Sequence, residues 1–62
     1  MVPYYRVGHV VEYKTFDGMV RRVKVTTVEA DIKRGRPGFS GTEIHTGECV
    51  WGYDSQIIRL IW

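Results

Sequence analysis

The stretch Val10-Val11-Glu12-Tyr13-Lys14-Thr15-Phe16-Asp17-Gly18-Met19-Val20-Arg21-Arg22-Val23-Lys24-Val25 decides how this chain folds. Apolar and polar side chains alternate on both sides of Asp17-Gly18, the pattern of two strands whose side chains point to opposite faces of a sheet. Loop length sets the pairing, and a one-residue slip sends every side chain to the other face. A two-residue loop at Asp17-Gly18 sets Glu12 opposite Val23 and Val11 opposite Lys24, mixing charged and apolar groups on both faces. A three-residue loop, Phe16-Asp17-Gly18, with Gly18 in the left-handed conformation, instead pairs Val10 with Lys24, Val11 with Val23, Glu12 with Arg22 and Tyr13 with Arg21. His9, Val11, Tyr13, Val23, Val25 and Thr27 then share an inner face, and Glu12, Lys14, Arg22 and Lys24 an outer one. Arg21 falls inward by parity and is placed at the open end, its guanidinium over the Tyr13 ring.

Outward from this hairpin, runs rich in Val, Ile, Thr, Tyr and Trp continue to the C-terminus, broken by glycine-containing turns and without the spacing of three and four that marks a helix. Strands are predicted near residues 7 to 15, 19 to 29, 41 to 45, 48 to 53 and 57 to 61. Thr46-Gly47, read as a two-residue turn, pairs Ile44 with Cys49 and Thr42 with Trp51 on a core face, and His45 with Glu48 and Glu43 with Val50 on the other. Asp54-Ser55-Gln56 forms a short 3-10 turn started by the Asp54 side chain. In the last strand, Ile58 and Leu60 fill the core while Ile57 and Ile61 flank Arg59 on the other side. The expected architecture is all-β: one domain over residues 1–62, a small five-stranded SH3-like (Tudor-like) barrel with a 3-10 turn before the last strand. A chain of 62 residues buries only about 60% of its unfolded surface, so a shallow surface site is expected rather than a deep cavity.

The segments from Asp31-Ile32-Lys33 to Gly41 and Val50-Trp51-Gly52-Tyr53-Asp54-Ser55-Gln56-Ile57 resemble uncharacterised small proteins of bacteria and bacteriophages with SH3-like barrels, over about residues 7 to 61. The resemblance implies an SH3-like or Tudor-like strand order and no established activity, so it transfers no catalytic or ligand-binding position. The tight first hairpin departs from the long acidic first loop of signalling SH3 domains, which counts against proline-rich ligands.

Composition narrows the chemistry. One cysteine, Cys49, forms no internal disulfide, which suits a reducing cytoplasm, that of the host if the protein is phage-encoded. No apolar run approaches the roughly 20 residues that span a bilayer. His9, His45 and Cys49 are too few for a structural zinc site, and His45 and Cys49 project from opposite faces of their hairpin, which excludes a direct Cys-His nucleophile pair. Cys49 is read as a core residue opposite Ile44. No serine, histidine and acid set stands out either, so neither an enzyme nor a cofactor, metal or small-molecule substrate is expected.

The net charge of +2 is unevenly placed. Residues 19 to 36 hold six basic and two acidic side chains, a local +4, against three basic and five acidic side chains elsewhere, −2. In Lys33-Arg34-Gly35-Arg36-Pro37-Gly38-Phe39-Ser40-Gly41, the three glycines are read as allowing positive φ, Pro37 as stiffening the loop and Phe39 as folding back to cap the barrel. Lys33, Arg34 and Arg36 are then held outward to meet phosphates or an acidic protein patch. Trp51 is read as core. Tyr53, where its strand leaves the sheet beside Gly52, is placed to stack on a base or an extended peptide. Tyr4, Tyr5, Ile57, Arg59, Ile61 and Trp62 form a candidate interface around the surplus apolar side of the last strand. The preferred expectation is a non-catalytic module that binds a protein, or itself, through the basic loop, Tyr53 and that strand. The alternative is nucleic-acid binding through Arg22, Lys24, Lys33, Arg34 and Arg36.

Overall fold

The structure is a computed structural model that describes residues 5–62; Tyr4, of the candidate interface, lies outside the described residues. Five antiparallel strands, β1 (Val10–Lys14), β2 (Val20–Lys33), β3 (Arg36–Glu43), β4 (Cys49–Tyr53) and β5 (Ile57–Leu60), form one sheet in the order β4-β3-β2-β1-β5. A 3-10 turn over Asp54–Gln56 precedes β5. The sheet is open, since β4 and β5 are its two ends and no ladder joins them. The molecule measures 29 × 25 × 22 Å, shorter along its longest axis than the 14-residue β2 would be if straight at about 3.3 Å per residue, so the sheet is bent rather than flat. Among the described residues no helix is long and apolar enough to cross a membrane.

The first hairpin has the register that the three-residue loop demands: Val10 opposite Lys24, Val11 opposite Val23, Glu12 opposite Arg22, Tyr13 opposite Arg21. Gly18 closes the turn at φ 86°. Val11, Tyr13, Val23 and Val25 face inward and are buried, joined by Tyr5, Phe39 and Ile57, with Val50 packed against them. Phe39 is fully buried, with Tyr5 and Tyr13 meeting it edge to face at 6.0 and 5.3 Å between ring centres. Burial, followed by a hydrogen bond that Tyr5 donates to Asp54, raises the Tyr5 pKa far above its ordinary value. The Tyr13 hydroxyl is raised as well, chiefly by burial, against the lowering effect of Arg21 opposite.

Beyond Val25 the register departs from simple alternation. A bulge between Val25 and Thr27 flips the parity of β2, so Thr27 is exposed instead of continuing the inner face. Residues 30 to 41, whose path the sequence leaves open between its second and third predicted strands, are mostly strand: β2 runs to Lys33 and β3 starts at Arg36, joined through Arg34 and Gly35, at φ 57° and 71°. Two successive positive φ angles are the mark of a tight hairpin turn, and the Gly35 N–H donates to Asp31 Oδ1 at 2.8 Å. Pro37 falls within a second irregularity, between Glu29 and Lys33, where its missing N–H breaks no ladder bond. Gly38 and Gly41 do not serve positive φ. They allow close approach, since a Cβ on Gly41 would stand 2.2 Å from the Lys24 carbonyl oxygen and one on Gly38 2.3 Å from that of Gly52.

In the second hairpin Thr42 pairs with Cys49 and Ser40 with Trp51, two residues from the expected register, and the buried face is the opposite one. Phe39, Gly41 and Glu43 point inward, whereas Ile44 and Cys49 are exposed. Glu43 makes this arrangement possible: its carboxylate accepts from the N–H groups of His45 at 3.0 Å and Thr46 at 2.8 Å, so the charged end closes the turn. In β5 a bulge between Ile57, opposite Tyr13, and Arg59, opposite Glu12, lifts Ile58 out of the ladder. Ile57 is therefore buried, while Ile58 and Leu60, expected in the core, are exposed. The 3-10 turn is braced by Gln56 rather than Asp54: the Tyr53 N–H donates to Gln56 Oε1 at 2.8 Å, and Gln56 Nε2 donates to the Lys14 carbonyl at 2.8 Å.

Candidate functional site

Three local structures converge on one groove. The β1–β2 turn is held by the Thr15 hydroxyl, which accepts from the Met19 N–H at 3.0 Å and donates to Asp17. That bond holds the Asp17 carboxyl below its ordinary range. Phe16 stands on this turn, 74% exposed. The β2–β3 turn delivers Lys33, Arg34 and Arg36, and the end of β4 delivers Trp51 and Tyr53. Together Phe16, Lys33, Arg34, Arg36, Trp51 and Tyr53 line a groove of about 410 Å³.

The aromatic floor is a cluster of three rings. Trp51 and Tyr53 meet edge to face at 5.3 Å, and Phe16 leans on both, at 6.0 and 6.1 Å. Lys33 Nζ lies 4.6 Å from the centre of the Trp51 ring and Arg36 Cζ 4.5 Å from that of Tyr53. Arg36 Nη2 also donates to Ser55 Oγ at 3.4 Å, tying the basic turn to the 3-10 turn. No carboxylate lines the groove. Neither of the two ion pairs among the described residues involves these three cations.

The five basic residues read as one patch are therefore divided. Arg22 and Arg59 both engage Glu12 on the outer face, at 3.4 and 3.1 Å, a carboxylate shared across β2, β1 and β5. Lys24 is exposed on the same face, opposite Val10 and Thr42. Only Lys33, Arg34 and Arg36 share the groove. Tyr53, read as an exposed platform, is 9% exposed beneath Arg36, and Trp51, read as core, lies half-exposed in the groove. Phe16, by its sequence only a residue of the first hairpin loop, completes the groove. The signal that points to Trp51 is parity, because it shares a face with Tyr53 two residues on, and one cannot be outward without the other.

Of the candidate interface, Tyr5 and Ile57 are buried and offer no surface. Ile61 is half-buried, Arg59 is exposed but bonded to Glu12, and Trp62 is 81% exposed although its backbone is fixed against Val10. A second groove of about 450 Å³ is lined by Glu12, Met19, Val20, Arg21, Arg22, Glu43, His45 and Thr46. Both of its carboxylates are engaged, by Arg22 and Arg59 or by turn amides. Among the described residues no three His, Cys, Asp or Glu side chains converge as a metal site would require. Comparison with protein-family models, with curated proteins and with solved structures gives no match for this chain.

Proposed function

We propose that the protein is a non-catalytic binding module of SH3-like barrel type that binds nucleic acid through the groove between its first two hairpin turns. The strand order, with the last strand beside the first and a 3-10 turn before it, supports the barrel type. The observation that carries the binding reading is the meeting of Lys33, Arg34 and Arg36, none of them in an ion pair among the described residues, with the rings of Phe16 and Trp51 in one groove. Cations answer phosphates and rings answer bases. Exposed, unpaired Cys49 suits a reducing compartment such as the cytoplasm. Fluorescence anisotropy with labelled DNA and RNA, single-stranded and duplex, at about 50 and 200 mM salt tests the reading, since phosphate contacts weaken steeply over that range. Binding should fall with salt, and Arg34→Glu with Arg36→Glu should reduce it at least tenfold. Equal binding by the double variant removes the groove as the site.

A second reading, a protein partner or self-association on the side of the last strand, is favoured by the exposure of Ile58, Leu60 and Trp62. Sedimentation of the isolated protein separates the two: a concentration-dependent dimer lost on Leu60→Ser with Trp62→Ser supports it, and a strict monomer removes self-association.

A further inference from the structure

We infer that the groove takes an unpaired strand in preference to a duplex, with one base laid on Phe16 and the adjoining phosphates met by Arg34 and Arg36; this rests on the nucleic-acid reading above. Three observations lead to it. Phe16 is positioned by Trp51 and Tyr53 yet leaves 74% of its surface to solvent, whereas Trp51 and Tyr53 already carry Lys33 and Arg36 over their rings. Phe16 is thus the ring left open for a ligand. In a duplex the faces of the bases are hidden in the stack, so a protein ring reaches one only by prising two pairs apart, at about a few kcal/mol per step, whereas an unpaired base offers its face without that cost.

The second observation is the fold-back of the basic turn. A two-stranded ribbon such as β2–β3 can enter the major groove of a duplex, but its cations would have to project from it. Here Lys33 and Arg36 lie back against the aromatic cluster and Arg36 is tied to Ser55, so two of the three cations face the groove rather than a duplex beyond the tip. The third is the absence of acidic lining: a strand's phosphates pass Lys33, Arg34 and Arg36 without meeting a carboxylate in the groove. The same cations would accept an acidic peptide, but such a peptide leaves the Phe16 face without a planar partner.

The test uses Trp51 as reporter. Of the two tryptophans, Trp62 is the exposed one, and Trp62→Phe leaves the fluorescence to Trp51. A thymidylate single strand of about 10 nucleotides, within the site size of one small barrel, should change that fluorescence saturably at about 50 mM salt. Phe16→Ala should weaken binding about tenfold, the effect of losing one stacked base, and leave the salt slope unchanged. Phe16→Tyr should retain affinity, which separates loss of stacking from loss of fold. Arg34→Ala with Arg36→Ala should lower the slope of log affinity against log salt by about 1.4, two contacts on a single strand. Equal affinity for a duplex of the same length, an unaffected Phe16→Ala variant, or equal affinity for a poly-glutamate peptide overturns the inference. A duplex that binds as well leaves the nucleic-acid reading standing, and no saturable binding to either form removes both.

Discussion

Glu43 brings a carboxylate to the base of the β3–β4 turn, where it is 2% exposed and accepts two backbone N–H bonds. Those bonds favour the charged form, so the carboxyl titrates below its ordinary 4.5, the His45 N–H acting most strongly and the Thr46 bonds next. A group whose folded pKa is depressed contributes stability that is complete above its unfolded pKa and is lost as pH falls through the folded value. Urea denaturation followed across pH should therefore show a midpoint that is steady near neutrality and declines below about 4.5. Glu43→Gln should lower the neutral midpoint and flatten that decline. The flattening should be partial, because Asp17, held by Thr15, is also depressed and keeps its own acid dependence. A Glu43→Gln protein with the acid profile of the parent shows that the turn amides do not depend on the charge.

At the scale of the element, close approach and bulges decide what alternation leaves open. Gly41 lies on β3 opposite Val25, against the Lys24 carbonyl and Val23. Gly41→Ala puts a methyl group 2.2 Å from that carbonyl oxygen and 2.8 Å from Val23 Cγ1, so β2 and β3 must separate. The expected loss is about 3 kcal/mol, the upper part of the range for overpacking a close-packed interior, read as a fall in the denaturation midpoint. A cost near zero would mean that the two strands already stand further apart. The contrast between the hairpins follows from the same physics. The first was legible in its residues because its register is local, its faces separate by polarity, and Gly18 marks the turn. The second was not, because Glu43 reads as an outward residue unless its bonds to the turn are known, and the face then inverts, carrying Trp51 outward with it. The bulges at Val25 to Thr27 and at Ile58 likewise carry no local signature, yet each reverses which side chains are buried. The basic part of the groove was legible as a run of cations. Its aromatic part was not, since Phe16 meets Trp51 and Tyr53 only through the folded sheet.

For the whole molecule, the distribution of paired and unpaired charge separates what holds the sheet together from what faces a ligand. Glu12 engages cations of both neighbouring strands, Arg22 and Arg59, with its side chain only 12% exposed. Its loss leaves two guanidinium groups facing each other across β1. Arg34, by contrast, sits exposed at the tip of the β2–β3 turn, and neither ion pair among the described residues involves it. Glu12→Ala should therefore destabilise by about 1 kcal/mol, the upper end for partly exposed ion pairs, while leaving affinity for a single strand within about twofold of the parent. Arg34→Glu exchanges one long side chain for another at the same positive φ, so it should change stability by no more than about 0.5 kcal/mol, as surface substitutions do, while weakening binding at low salt. Measuring chemical denaturation and oligonucleotide affinity on the same two proteins tests the separation directly. If Glu12→Ala loses affinity in proportion to stability, the outer face belongs to the binding surface and Arg22 and Lys24 return to it. If Arg34→Glu unfolds the protein instead, the β2–β3 turn is part of the framework and the groove cannot be tuned apart from the fold.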